Sequence, residues 1–302
     1  MSTKAGFVSI IGKPNVGKST LMNALLGQKL SIITSKPQTT RKRILGILSN
    51  ENYQVIFLDT PGILKPEYLL QEKMLQYVFN SVRDADIILF IIDVRDNRLD
   101  TETLTDKQIG NILNKSKAKK ILLLNKTDLV NDSEIKRALN EIELLHMFDK
   151  IIPISAITGH NLTLLLESIV ELLPVHHKYF PDDQVTDETE RFFVSEIIRE
   201  KIFELFQEEI PYSTEVIIEE FKEREGRKDF ISAVIIVERD TQKPIIIGKD
   251  GIKIKELGQI ARKDIEYFLE RPVYLELRVK VRNKWRSSPT MLKNFGYILR
   301  NE

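Results

Sequence analysis

The sequence predicts an α/β chain: a doubly wound, mostly parallel sheet followed by a smaller α+β domain. Three observations carry this. Up to about residue 173, short continuous apolar runs alternate with polar-apolar helical stretches, the pattern of parallel strands covered by helices on both faces. The first of those runs opens into Gly12-Lys13-Pro14-Asn15-Val16-Gly17-Lys18-Ser19, a GxxxxGK[ST] loop between a strand and a helix. Beyond residue 189 the order of elements changes to α-β-β-α-α-β. A chain of 302 residues is long for a single core, and the expected divisions are 1–173, a linker at 174–188, and 189–302.

Hydrophobic content of 42% and charged content of 29% describe an ordinary globular protein. Absence of cysteine excludes disulfides, thiolate metal sites and a cysteine nucleophile, and is compatible with a reducing compartment. No apolar run approaches the roughly 18 residues of a membrane span, and Met1-Ser2-Thr3-Lys4 leads straight into the first strand, so neither a transmembrane segment nor a signal peptide is expected. The expected location is cytoplasmic. His176 and His177 are adjacent on an extended linker and point to opposite sides, so no metal site is read there.

Taken in order, Val8, Ile10 and Ile11 form the strand that runs into the glycines, and Thr20 to Leu26 begins the following helix. Free N–H groups and the helix dipole at that junction favour an anion, and the glycines let backbone wrap phosphate oxygens. In such a loop Lys18 reaches β and γ phosphates and the Ser19 hydroxyl ligates Mg²⁺. A hairpin follows, Arg43 to Leu48 against Tyr53 to Leu58 across Ser49-Asn50-Glu51-Asn52. Buried-type strands are predicted at 87–92, 121–124 and 151–154, with helical stretches near 68–82, 101–116 and 133–145 and a closing helix from Leu162 to Leu173.

The loops after these strands carry the base and metal signals. Asp59-Thr60-Pro61-Gly62 is a DxxG in which the carboxylate can hold Mg²⁺ through water and the Gly62 N–H can sense a γ-phosphate. Asn125-Lys126-Thr127-Asp128 is an NKxD whose Asp128 carboxylate accepts from the N1–H and exocyclic amine of guanine; adenine offers no donor at either place, a contrast worth about 10⁴ in selectivity. The backbone of Ser155-Ala156 can contact the guanine O6.

In this order the four motifs resemble the P-loop GTPases over residues 6 to about 173, and Gly12 to Ser19 with Gln38-Thr39-Thr40-Arg41 resembles their TrmE–Era branch. The resemblance implies GTP and GDP as ligands, Mg²⁺ as the metal, and Thr40 as the switch threonine closing onto Mg²⁺ and the γ-phosphate. Gly27 to Thr40 is otherwise polar with little to pack, which suits a segment that orders on nucleotide binding. Ile63 stands where Ras-like proteins carry the glutamine that orients water, and isoleucine cannot do so. In TrmE-like proteins the asparagine matching Asn15 helps bind a potassium ion in place of an arginine finger; K⁺-stimulated hydrolysis is therefore implied.

In the second domain, Arg191 to Phe206 has apolar residues at helical spacing, and strands are predicted at Glu215 to Phe221, Phe230 to Val237 and Val273 to Val281. Val273 to Val281 alternates aliphatic odd with mostly charged even positions, one face core and one wet. Ile247-Gly248-Lys249-Asp250-Gly251 contains a GxxG ahead of a helix from Ile252 to about Leu269, a loop bare enough for a nucleic-acid backbone to approach. The aliphatic run before it could form a base groove. Residues 187–225 hold thirteen acids against five bases and 275–302 seven bases against two acids, which predicts a basic face with Lys253, Arg278, Lys280 and Arg282 available to phosphate. Trp285 could stack a base or lie in the core.

This half resembles a KH domain of the prokaryotic type (type II), and the whole chain resembles the ribosome-assembly GTPases of the TrmE–Era branch. That implies GTP hydrolysis and GTP-regulated binding to small-subunit (16S) ribosomal RNA near its 3′ end and to the small ribosomal subunit, by a protein expected to be a monomer. Constitutive RNA binding with a purely structural nucleotide, a small-molecule kinase, and a regulatory GTPase at the inner membrane surface are the other readings. NKxD and the absence of an acceptor lid argue against the kinase.

Overall fold

The structure is a computed structural model and describes residues 3–95, 110, 113–143 and 146–297. The chain divides into two compact units: Met1–Ser31, Thr40–Pro66 and Lys73–Asp187 form the first, and Ile32–Thr39, Glu67–Glu72 and Glu188–Glu302 the second.

The first unit is a six-stranded sheet. Its strands are β1 (Lys4–Gly12), β2 (Ile44–Ser49), β3 (Tyr53–Asp59), β4 (Ile87–Asp93), β5 (Lys119–Asn125) and β6 (Lys150–Pro153), in the order β2-β3-β1-β4-β5-β6. Only β2 is antiparallel, paired with β3 as the hairpin the sequence predicts. Helices α1 (Lys18–Leu26), α2 (Leu69–Asp84) and α3 (Asp132–Glu143) lie between strands, and α4 (Leu162–Leu172) follows β6. The aliphatic runs become fully buried strands: Ile87 to Phe90 and Ile121 to Leu124 are all inaccessible to solvent. The helical stretch expected near 101–116 lies mostly outside the described residues.

The second unit has three strands, β7 (Glu215–Lys222), β8 (Asp229–Val237) and β9 (Val273–Val281), ordered β7-β8-β9 with β8 and β9 parallel. Helices α5 (Glu190–Leu205), α6 (Ile210–Ser213), α7 (Gln242–Ile247) and α8 (Ile252–Leu269) precede or link them, and α9 (Pro289–Asn294) follows. One core joins Ile198, Ile202, Ile246, Leu257, Ala261 and Ile265 of the helices to Ile231, Ala233, Ile235 and Val279 of the strands, so the odd positions of β8 and β9 face the helices. Sequence reasoning missed α6 and α9, each under two turns long and without a periodic signal.

Two readings are narrowed here. The segment before Thr40 has contacts of its own: Asn23 Oδ1 accepts from Leu30 and Ser31 N–H, and Ile32 is buried. Within the second unit, Lys36 Nζ donates to the carbonyls of Phe203 and Phe206 at the end of α5, and Ile33 N–H donates to Glu200 Oε1 at 3.0 Å. Trp285 is fully buried, its indole N–H on Ser213 O at 2.8 Å and its ring edge-on to Phe295, which places it in the core.

Candidate nucleotide site and nucleic-acid groove

The first site sits at the carboxyl ends of β1, β3, β5 and β6, where open α/β sheets collect ligands. Gly17 takes a left-handed φ of 102° immediately before α1, and Asn15 a φ of 62°, so the loop from Gly12 curls tightly into the helix N-terminus. Lys18, with only 6% of its surface exposed, folds back over that loop and donates to Gly12 O at 3.2 Å and Lys13 O at 2.8 Å. Burial pushes its ammonium down to about 8 despite the nearby Asp59 carboxylate. An anion in the loop would restore the lost solvation.

The metal-side groups converge. Ser19 Oγ lies 2.7 Å from Asp59 Oδ2 and 2.9 Å from Thr40 Oγ1, while Asp59 Oδ1 is buried with no hydrogen-bond partner. Burial raises the Asp59 carboxyl although Ser19, Lys18 and Ser31 all oppose it. Two hydroxyls and a desolvated carboxylate with an orphaned oxygen suit a hard cation such as Mg²⁺. Thr60 Oγ1 donates to Ile10 O at 2.7 Å, which turns the chain sharply through Pro61 to Gly62. Gly62 is pressed against the phosphate loop, where a Cβ would come 2.7 Å from the Pro14 nitrogen. Ile63 is buried and its N–H donates to Gly12 O at 3.0 Å, so it offers nothing to water.

The base side is equally constrained. Asn125 donates to Val16 O at 2.7 Å and accepts from Ala156 N–H at 3.0 Å. Lys126, in a left-handed conformation, donates to Asn15 O at 2.7 Å. Ser155 Oγ donates to Asp128 Oδ1 at 2.6 Å and aims that carboxylate. Asn131 and Glu134 cap α3 reciprocally, which leaves Asp128 uninvolved in capping. The Ala156 amide, expected at the guanine O6, is engaged by Asn125. All the nucleotide-site residues read from the sequence thus fall in one region.

Sequence reasoning missed three partners. Ser31 Oγ donates to Asp59 Oδ2 at 2.9 Å, and Asp93 accepts from Lys126 at 2.7 Å and from Arg95 at 2.8 Å. Burial pushes the Asp93 carboxyl up, but the Arg95 and Lys126 hydrogen bonds prevail and hold it at about 2. Asp93 was findable, because it ends a parallel strand at the ligand edge of the sheet.

In the second unit, Ile247 ends α7, and Gly248 (φ 74°), Asp250 (φ 51°) and Gly251 (φ 76°) turn the chain into α8. A Cβ on Gly248 would lie 2.8 Å from Lys253, so the loop is closed tightly there. Beside it runs a groove of about 370 Å³, walled by Lys255, Gln259 and Arg262 of α8 and by Tyr274, Leu275 and Leu277 of β9. Of the aliphatic run ahead of the loop, Ile246 is in the core, Ile247 is partly buried against it and Ile245 is half-exposed.

The predicted basic face is also corrected. Arg278 and Lys280 occupy the even face of β9, opposite the helices and the GxxG, because side chains alternate along a strand. A bulge in β7 between Ile218 and Glu220 frees Glu219, whose carboxylate takes Arg278 at 2.8 Å and Lys280 at 2.7 Å. Glu238 takes Arg286, and Asp229 takes Arg271 at 2.6 Å. Acidic and basic stretches separated in sequence are therefore neutralised by folding. Arg282 is exposed just beyond β9, with its N–H on Val237 O at 2.8 Å.

Residues 7–126 match the family model described as a 50S ribosome-binding GTPase, and 209–286 match that of the KH domain. The chain is 46% identical to GTPase Era of Syntrophus aciditrophicus, covering 97% of this chain and 95% of that protein, and 45% identical to GTPase Era of Geotalea daltonii, covering 97% of each. A crystal structure of Era with MgGDPNP and nucleotides 1506–1542 of 16S ribosomal RNA superposes with a TM-score of 0.92 at 42% identity, over 98% of this chain and 100% of that one. An Aquifex aeolicus Era variant bound to GDP·AlF4⁻ gives 0.91 at 42%, with the same coverage.

Proposed function

Since the chain belongs to the Era family of GTPases, we propose that it hydrolyses GTP in the first unit and uses the nucleotide to regulate binding of the second to small-subunit ribosomal RNA near its 3′ end, in assembly of that subunit. The observation that carries the reading is the convergence of Lys18, Ser19, Thr40 and Asp59 at one end of the sheet with Asn125 and Asp128 at the other end of the same cleft. Lys18 and the loop amides stabilise charge on the transferring phosphoryl group, and Ser19, Thr40 and Asp59 would hold the Mg²⁺ that neutralises the phosphates. Asp128 selects guanine. With Ile63 turned away, the chain shows no water-orienting side chain at that position, so slow intrinsic turnover is expected. Asn15, on its left-handed backbone at the crest of the loop, would support a potassium ion; equal hydrolysis in K⁺ and Na⁺ buffers would remove that role.

The GxxG loop and the groove beside it are the proposed RNA site, supported by the Era structure that holds 16S nucleotides 1506–1542. Multiple-turnover GTP hydrolysis, measured with and without that fragment, tests the whole reading. Gly248→Asp should abolish RNA binding while leaving GTP hydrolysis intact. RNA affinity identical with GTP analogue, GDP and no nucleotide would contradict regulation. Among the described residues no helix is long and apolar enough to cross a membrane. We read the protein as a cytoplasmic monomer, which sedimentation velocity tests. The pairing of Arg278, Lys280 and Arg286 with Glu219 and Glu238 weakens the case for a membrane-surface station, and liposome sedimentation at two salt concentrations checks it.

A further inference from the structure

Outside the groove, at the open edge of the second sheet, three planar groups lie in series. Tyr274 is directly opposite Phe230 in the parallel pairing of β8 and β9, and their rings stack with centroids 5.9 Å apart and planes within 13°. The Arg224 guanidinium lies 5.0 Å from the centre of the Phe230 ring. With its ring on Phe230, Tyr274 is nevertheless 58% exposed, so one aromatic face is offered to solvent.

The series is also held rigid. Asp229, itself buried, accepts from Arg224 N–H at 2.9 Å and from Arg271 Nε at 2.6 Å, which ties the turn before β8 to the turn before β9. Tyr274 is at the same time a wall of the groove whose other side carries Lys255 and Arg262. Its ring stands on the even face of β9 with Phe230, so it meets the groove, which Glu276 also lines, at the sheet edge, and a strand leaving the groove around that edge would reach it.

We propose that Tyr274, backed by Phe230 and Arg224, is a stacking platform for one unpaired nucleobase of the bound RNA, placed where the strand leaves the groove. The inference rests on the RNA-binding reading of the second unit and adds to it a stacking contact that the cations and aliphatic side chains of the groove do not provide. An aromatic face accepts any base, so the platform extends the length of strand held rather than the sequence read. Binding of guanine nucleotide takes no part in it.

The test uses the full chain with Mg²⁺, a GTP analogue and an RNA fragment of 16S nucleotides 1506–1542, trimmed one nucleotide at a time from each end. Tyr274→Ala should weaken the full fragment about tenfold, Tyr274→Phe should bind as wild type, and Tyr274→Leu, which keeps apolar bulk in a strand, should resemble Tyr274→Ala. One trimming step costly to wild type should cost Tyr274→Ala nothing. GTP turnover of the three variants should match wild type, and each should melt in one transition, with Tyr274→Ala a few degrees lower for loss of the Phe230 stack. If Tyr274→Ala binds like wild type while Gly248→Asp does not bind, the platform is wrong and the groove stands. If neither substitution affects binding, the RNA site as a whole is misplaced. Equal loss in Tyr274→Phe and Tyr274→Ala would also overturn stacking, since the phenyl ring stacks as well as the phenol.

Discussion

The side-chain amide of Asn125 donates to the Val16 carbonyl at 2.7 Å, and so fastens the end of β5 to the phosphate loop. Gly17 makes room for it: a Cβ there would fall 2.3 Å from the Asn125 amide nitrogen. The same side chain holds the Ala156 N–H. One buried amide thus sets the distance between the phosphate and base halves of the cleft. Asn125→Ala leaves Val16 O and Ala156 N without partners, each at a cost of about 1–3 kcal/mol. Release of a fluorescent GDP analogue should accelerate by roughly ten- to a hundredfold.

In the proposed site Asp128 would accept from guanine, and Ser155 Oγ at 2.6 Å holds that carboxylate in place. Asp128→Asn presents an amide that fits xanthine, which has a carbonyl where guanine has its amine. GTP hydrolysis should fall by about 10³ or more and XTP hydrolysis should rise to replace it. Activity with both nucleotides unchanged would contradict the assignment.

Asp93 links Arg95 and Lys126. Its carboxyl is held at about 2 against an ordinary 3.8, so its contribution to stability is complete above pH 4 and is lost as the pH falls from there toward 2. Asp93→Asn should flatten the acid-unfolding curve across that window. Because Lys126 also holds Asn15 O, the variant should release nucleotide faster at neutral pH as well.

Gly62 has no room for a methyl group beside Pro14. Gly62→Ala forces either the DxxG turn or the phosphate loop to shift, at about 1–3 kcal/mol. A lower melting temperature and a nucleotide complex that hydrolyses poorly are the expected results. Unchanged melting and turnover would show that the two loops yield without cost.

Trp285 is the single tryptophan. Its burial and its bond to Ser213 O predict blue-shifted emission that RNA does not quench and that moves to the red on unfolding. Trp285→Ala should cost about 3–5 kcal/mol. Quenching on addition of RNA fragments, without unfolding, would place the ring at the interface after all.

Residues close together in the chain determined most of this protein's first half. A phosphate loop needs only a strand, glycines and a helix N-terminus in succession, so Gly12 to Ser19 is legible without a fold. The same holds for Asp59 to Gly62 and Asn125 to Asp128, which follow buried strands, and for the GxxG at 248–251. Tertiary structure decided what depends on distant pairing. Asp93 meets Lys126 only because β4 and β5 bring their carboxyl ends to one edge, and Ser31 meets Asp59 only because Asn23 of α1 holds the segment after that helix beside the end of β3. The charge asymmetry of the second half misled for the same reason: Glu219 neutralises Arg278 and Lys280 across sixty residues of sequence, through a bulge that no local pattern announces. Coulomb attraction acts on distance in space, and strand pairing sets that distance.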